Sequence, residues 1–134
     1  MADDLREQGM VTRREVLGDA HVDRAMRDAD AFTIDFQEHI TRFAWGAVWS
    51  RPGLDRRTRS CITVAMLAAQ GNEHELALHL RAAMRNGVTV DEIKEVLLQV
   101  AVYAGVPRAN RAFSIARGVI DAGAATQPTS GDPS

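Results

Sequence analysis

The sequence predicts an all-α protein built from antiparallel helical hairpins. Three observations lead to this prediction. Apolar residues recur at intervals of three and four along most of the chain, short breaks rich in glycine and proline separate these segments, and no stretch alternates as a β-strand does. Because the connections are short, successive helices should pack against each other in opposite directions.

The helical pattern divides into six segments. We predict helices over these ranges: 21–29, 31–47, 58–69, 70–87, 89–103 and from about 107 onward. Pro52 and Gly53 form a turn between the second and third helices, and Gly87 occupies the expected C-terminal position of the fourth. Thr89 and Glu92 have the spacing of a capping box, which starts the fifth helix.

Composition indicates one globular domain over residues 1–125, followed by a disordered tail over residues 126–134 that is rich in Pro, Ser, Gly and Thr. The net charge of −2 gives no basis for a nucleic-acid surface or a polybasic membrane anchor. No apolar run is long enough to span a bilayer and the N-terminus lacks a signal-peptide core, so we expect a cytoplasmic protein without a membrane partner. The aromatic positions of the first half favour burial against a second copy, in a homo-oligomer.

The segment "QGNEHELALHLRAAMRNG", residues 70–87, places a titratable group beside its apolar face. Winding it as a helix puts His79 on a narrow stripe with Asn72 and Glu75, next to the leucines. An imidazole can exchange a proton near neutral pH, and a carboxylate one turn earlier can orient it or raise its pKa. In the structural alternative, Glu75 closes a capping box on Asn72 and His79 is a packed residue with one hydrogen bond.

A second candidate cluster lies in "HITRFAWGAVWSRPGLDRRTRS", residues 39–60. Trp45 and Trp49 share a helix face, with Arg42 and Arg51 close in sequence, so they could form the wall of a pocket for a flat anion. Trp pairs at this spacing also serve cores and subunit interfaces, which is the structural alternative. We expect no metal site, because no histidines have ligand spacing, and no nucleophile at Cys61, which lies in an apolar run.

Residues 51–113 resemble the gamma-carboxymuconolactone decarboxylases, also called 4-carboxymuconolactone decarboxylases. The most specific pieces are "FAWGAVWSRPGLDRRTRS" and "QVAVYAGVPRAN", and the resemblance covers nearly the whole chain. This family is similar in fold to the alkyl hydroperoxidase D-like proteins, whose relatives carry a CxxC motif and a histidine four residues later. Here Asn72 and Glu75 occupy the cysteine positions and His79 the histidine position. Without thiols, a dithiol peroxidase cycle is excluded.

The resemblance implies an all-helical homo-hexamer, a trimer of dimers, with sites near subunit contacts. It also implies decarboxylation of 4-carboxymuconolactone to 3-oxoadipate enol-lactone, in the protocatechuate branch of the 3-oxoadipate pathway. The departing carboxylate of this small dicarboxylate lactone sits on the γ-carbon of an α,β-unsaturated ring. The electron pair can therefore pass to the lactone carbonyl, and we expect no cofactor.

The reaction needs cationic groups for two carboxylates, donors for the developing oxyanion and one general acid. We expect His79 to be the general acid or an oxyanion donor, with Glu75 orienting and charging it. The expected substrate-binding residues are Arg51, Trp45, Trp49, Arg42, Arg59, Tyr103 and Asn72. Two alternatives remain: a thiol-free binding or stress-related protein of the same superfamily, and a structural or regulatory helical oligomer.

Overall fold

The computed structural model describes residues 3–126, and within this range the all-α prediction is confirmed, since every regular element is helical. The elements in chain order are α1 (Asp4–Leu17), α2 (Asp19–Asp28), α3 (Ile34–Ile40), a π-helical segment (Thr41–Trp49), α4 (Arg56–Gln70), α5 (Glu73–Arg85), α6 (Val90–Ala104) and α7 (Val106–Thr126). The tail predicted for residues 126–134 lies outside the described residues, except for Thr126, the last residue of α7.

Helix α1 was not predicted from the sequence. Its buried positions are Gly9, Thr12, Arg13, Val16 and Leu17. Because three of these five are not large apolar residues, the apolar periodicity that identifies a surface helix is weak here. The helix is stabilised instead at its start, where the Asp3 carboxylate accepts a hydrogen bond from the Arg6 backbone N–H at 3.1 Å, and by packing against the π-helical segment.

The predicted helix over 31–47 begins later than expected and changes type. Helix α3 passes without a break into the π-helical segment, which runs on to Trp49. The segment approaches α1 so closely that glycine is required on both sides of the contact. A Cβ added at Gly9 would lie 2.8 Å from the backbone nitrogen of Gly46, and one added at Gly46 would lie 3.1 Å from the carbonyl carbon of Leu5. π-helical turns are rare in proteins, and those that do occur are frequently found at functional sites.

Helix α5 is shared between two hydrophobic clusters. Its residues Leu76, Leu80 and Ala83 belong to the main core, which α4, α6 and α7 complete. Its residues Leu78 and Ala82 belong to a second cluster, together with Val16, Leu17, Val22 and Trp45. The helix that carries His79 is therefore enclosed on two sides, by the helical bundle and by the N-terminal half of the chain.

The predicted helix ends are largely as expected. The capping box is confirmed, since the Glu92 N–H donates to Thr89 Oγ1 at 3.1 Å and the Thr89 N–H donates to Glu92 Oε1 at 3.0 Å. Gly71 ends α4 in the left-handed conformation, with φ of 73°. Among the described residues, no helix is long and apolar enough to cross a membrane.

Candidate active site

The two candidate clusters of the sequence meet at His79. The imidazole lies 6.4 Å from the ring of Trp45 and 6.4 Å from the ring of Trp49, with interplanar angles of 9° and 22°. The two indoles are themselves 5.1 Å apart. Trp45 is only 6% exposed, whereas Trp49 and His79 are partly exposed. The π-helical segment and α5 thus place a titratable ring against an apolar aromatic wall that solvent reaches on one side.

Burial dominates the electrostatics of His79. It lowers the pKa of the imidazole below the ordinary value of 6.5, while the charge of Glu75 raises it and that of His21 lowers it. Nδ1 is buried and has no hydrogen-bond partner within residues 3–126. Glu75 acts in the expected direction, but it does not outweigh burial. The imidazole of this chain is therefore neutral at neutral pH.

The capping alternative for Glu75 is wrong. Asn72 does occupy the N-cap position of α5, but its side chain makes no capping hydrogen bond and instead donates to Gln70 Oε1 at 2.8 Å. The Asn72 backbone N–H, which a capping box would give to Glu75, donates to the carbonyl of Leu67 at 3.0 Å. The Glu75 carboxylate is exposed and free of hydrogen bonds to the described residues, so its charge is available to the two histidines.

The predicted arginines separate into two groups. Arg51 is exposed and, with Trp49, lines a cavity of about 420 Å³, while Arg59 donates from Nη2 to the Arg51 carbonyl at 3.3 Å. Arg42 lies elsewhere, because its guanidinium is paired with Asp3 at the start of α1. Tyr103 is 81% exposed on α6, a helix that packs mainly against α4 and α7. Arg51 is thus next to Trp49 and Arg59 is next to Arg51, whereas Arg42 and Tyr103 lie away from them.

Two residues that the sequence did not single out belong to the surroundings of the site. His21 on α2 is half-buried, and its charge interacts with those of His79 and Glu75. Arg13 on α1 is 3% exposed, and its guanidinium donates to Thr41 Oγ1 at 3.2 Å and to Gln37 Oε1 at 2.9 Å. The only sequence signal for His21 is its position next to the apolar pair Val22 and Met26.

Comparison with known proteins decides the family. The model of the carboxymuconolactone decarboxylase family matches residues 35–118. The chain belongs to this family. It is 50% identical over 134 residues to a 4-carboxymuconolactone decarboxylase of Acinetobacter baylyi, covering 98% of this chain and 100% of that relative. The resemblance inferred from the sequence is thereby confirmed.

A second relative carries a different name. The chain is 44% identical over 117 residues to the nitrosuccinic acid decarboxylase npaB of Metarhizium robertsii, covering 87% of this chain and 82% of the relative. A 4-carboxymuconolactone decarboxylase of Pseudomonas putida is 55% identical over 40 residues, which are 30% of this chain and 83% of that relative. In residues 3–126, no group of three or more His, Cys, Asp or Glu side chains is placed to hold a metal ion.

Proposed function

We propose that this protein decarboxylates 4-carboxymuconolactone to 3-oxoadipate enol-lactone and CO₂, in the protocatechuate branch of the 3-oxoadipate pathway. The observation that carries the proposal is the identity of 50% along the full length of a relative with that name. We further propose that it acts in the cytoplasm as a homo-hexamer, a trimer of dimers. Exposed aromatic residues support an oligomer, since Phe32 is 93% exposed and Phe36 and Phe43 are each 61% exposed.

The chemistry requires one proton and no external electron acceptor. The bond between the ring γ-carbon and the departing carboxylate breaks, and its electron pair moves through the ring double bond to the lactone carbonyl. The resulting dienolate is protonated at the α-carbon, where the new C–H bond forms. Each turnover therefore releases one CO₂ and takes up one proton, which a general acid must deliver.

His79 is the residue we assign to this proton transfer, through Nε2. Without a bound anion its imidazole is neutral at neutral pH, because burial lowers its pKa. A substrate with two negative charges favours the protonated ring, as any nearby anion does, and so raises the pKa of His79 when it binds. Glu75 adds to this effect, since it is free of other partners. Substrate binding and protonation of the acid are in this way coupled.

The tryptophans provide apolar surface in the site, and the arginines provide positive charge. Trp45 and Trp49 surround the departing carboxylate with apolar surface, which favours its conversion to neutral CO₂. Arg51, with Arg59 beside it, supplies positive charge at the cavity next to Trp49 and attracts the dianion. Asn72 lies one turn before Glu75 and can donate to the substrate. We assign no such role within one chain to Arg42, because it is paired with Asp3.

Nitrosuccinate is a second candidate substrate, because a relative at 44% identity is named for it. It is also a dicarboxylate, and its departing carboxylate sits on the carbon that bears the nitro group. The nitro group can accept the electron pair to form a nitronate, which is then protonated at carbon. Both molecules thus carry their own electron sink and need the same anion binding and the same proton.

One assay separates the candidates. The purified protein is incubated with each compound, and release of CO₂ is followed together with loss of the lactone absorbance. We expect kcat/KM for the lactone to exceed that for nitrosuccinate by about a hundredfold, since differential transition-state binding sets specificity. Turnover of nitrosuccinate alone would favour the second candidate. Turnover of neither compound would contradict the proposal and favour a binding or structural protein.

A further inference from the structure

We propose that Ser50 is a positioning residue of this site, which joins α1 to the backbone of Trp45 and so holds the tryptophan pair against His79. Ser50 directly follows the π-helical segment. Its Oγ lies 2.7 Å from the Trp45 carbonyl oxygen and 2.7 Å from Thr12 Oγ1. Two hydrogen bonds therefore connect α1 to the residue whose indole lies parallel to the imidazole. The effect of Ser50 on turnover rests on the proposed function, whereas its effect on the geometry of the indoles does not.

The direction of the two hydrogen bonds follows from the hydrogens available. A serine hydroxyl carries one hydrogen, and a carbonyl oxygen can only accept. The bond to the Trp45 carbonyl therefore uses the hydroxyl hydrogen of Ser50, and the Thr12 hydroxyl must donate to Ser50 Oγ. No hydroxyl hydrogen of Ser50 remains for a substrate carboxylate, although the residue lines the cavity of about 420 Å³ together with Trp49 and Arg51. Ser50 thus acts on the substrate through its neighbours.

The burial of Thr12 indicates that its hydroxyl has a use. Thr12 is 3% exposed in α1, the helix that packs against the π-helical segment. Burying a hydroxyl without a partner costs free energy, whereas a valine of nearly the same shape has no polar group to satisfy. The bond to Ser50 satisfies the buried hydroxyl and fixes the end of the π-helical segment relative to α1.

Helix α1 holds the π-helical segment at both ends. π-helical turns are rare, so contacts with the rest of the fold must favour this one. At the first residue of the segment, Thr41 Oγ1 accepts a hydrogen bond from Arg13 Nη1 at 3.2 Å. Just beyond its last residue, Ser50 is bonded to Thr12, the neighbour of Arg13 in α1. The two tryptophans lie between these attachments, so α1 determines where the turns that carry them are placed.

The chain contains its own probe for the test, since Trp45 and Trp49 are its two tryptophans. Their rings are 5.1 Å apart, so the circular dichroism of the indole bands depends on the angle and distance between them. The spectrum is recorded without substrate for the wild type, Ser50→Ala and Thr12→Val, and kcat and KM for the lactone are measured on the same preparations. Thr12→Ser is the conservative variant, because it keeps the hydroxyl.

The matched control is Ser60→Ala. Ser60 is 1% exposed on α4, and its Oγ accepts a hydrogen bond from Asn86 Nδ2 at 2.9 Å. This variant loses a buried hydroxyl, as Ser50→Ala loses a half-buried one, but the lost hydrogen bond is not to the π-helical segment. Ser60→Ala should lower Tm and leave the indole spectrum and kcat unchanged. The same result in Ser50→Ala would show a merely structural role and overturn the proposal.

We expect Ser50→Ala and Thr12→Val each to change the indole spectrum and to lower kcat about tenfold, with KM within about twofold of the wild type, because they displace groups around the reacting bond without removing a charge that binds substrate. Thr12→Ser should retain the wild-type spectrum and kcat. Because Thr12 acts through Ser50, the double variant should lose no more kcat than Ser50→Ala alone. Losses that multiply, or a raised KM with unchanged kcat, would overturn the proposal.

The outcomes distinguish this inference from the proposed function. If the wild type releases no CO₂ from the lactone, the proposed function fails, and the spectra still decide whether Ser50 positions the indoles. If the wild type decarboxylates the lactone while Ser50→Ala and Thr12→Val keep the wild-type spectrum and kcat, the reaction stands and the role of Ser50 fails. If Ser50→Ala does not fold, the comparison of Thr12→Val with Thr12→Ser provides the same test.

Discussion

The contact between α1 and the π-helical segment provides the sharpest structural prediction. A Cβ added at Gly9 would lie 2.8 Å from the Gly46 nitrogen and closer still to the Thr41 carbonyl oxygen, whereas ordinary contact begins at 3.4 Å. Both neighbours are backbone atoms that no rotamer change can move. In Gly9→Ala the two elements must therefore separate by at least about 0.6 Å, which loosens the segment that carries Trp45 and Trp49.

The expected cost follows from overpacking. Such insertions destabilise a protein by about 1–3 kcal/mol, and a separation of whole helices lies at the upper end. The gain in helix propensity from glycine to alanine offsets about 1 kcal/mol of this. For a domain of this size we expect Gly9→Ala to lower Tm by roughly 3–10 °C. We also expect kcat to fall, since the tryptophan wall shifts relative to His79.

The matched control is Gly118→Ala on α7, where an added Cβ meets nothing within 4 Å. This variant should keep or slightly raise Tm, because only the propensity gain applies. Thermal unfolding is followed by circular dichroism at one protein concentration, since Tm depends on concentration in an oligomer. If Gly9→Ala melts at the same temperature as Gly118→Ala and retains full kcat, the close packing of α1 on the π-helical segment is refuted.

Three further predictions concern the charges of the site. Glu75→Gln should lower kcat/KM at pH 7 by about 3- to 10-fold, because it removes the charge that raises the pKa of His79. The control Glu73→Gln, on the same helix, should have little effect, and equal losses in the two variants would contradict the prediction. Arg51→Gln should raise KM for the lactone about tenfold with kcat unchanged, because it removes a positive charge that attracts the dianion. An unchanged KM would refute this role. Finally, Tm should fall as the pH drops from 7.5 to 5, because the pKa values of His79 and His21 are below 6.5 in the folded protein. Their contribution to stability is present above pH 6.5 and is lost as the pH falls through their folded pKa values. A Tm that does not change with pH would contradict this prediction.

The sequence predicted most of the helical core and the arrangement of side chains along α5. Apolar periodicity located that helix because Leu76 and Leu80 recur at its core face, and the same periodicity placed Glu75 and His79 on one stripe. It did not indicate that Leu78 is buried as well, against the N-terminal half of the chain. A single helical period describes one buried face, whereas α5 has two.

The parts that the sequence did not predict depend on contacts between distant residues. Helix α1 buries Gly9 and Arg13, which contribute nothing to an apolar pattern. Its partner is a π-helical segment, which the sequence pattern does not distinguish from an α-helix. Trp45 and His79 were each predicted as site residues, but their stacking depends on how two elements pack. The lowered pKa of His21 likewise depends on its burial and on charges that include those of α1 and α5.

The central claim is that His79 supplies the proton, and the pH dependence of kcat/KM tests it most directly. In the wild type, kcat/KM should fall with rising pH from below pH 6.5, since this parameter reports the free enzyme and the pKa of its imidazole is lowered. His79→Gln should lose about 10²- to 10⁴-fold in kcat and lose this ionisation from the profile. A folded His79→Gln protein that retains wild-type kcat and the same profile would contradict the account.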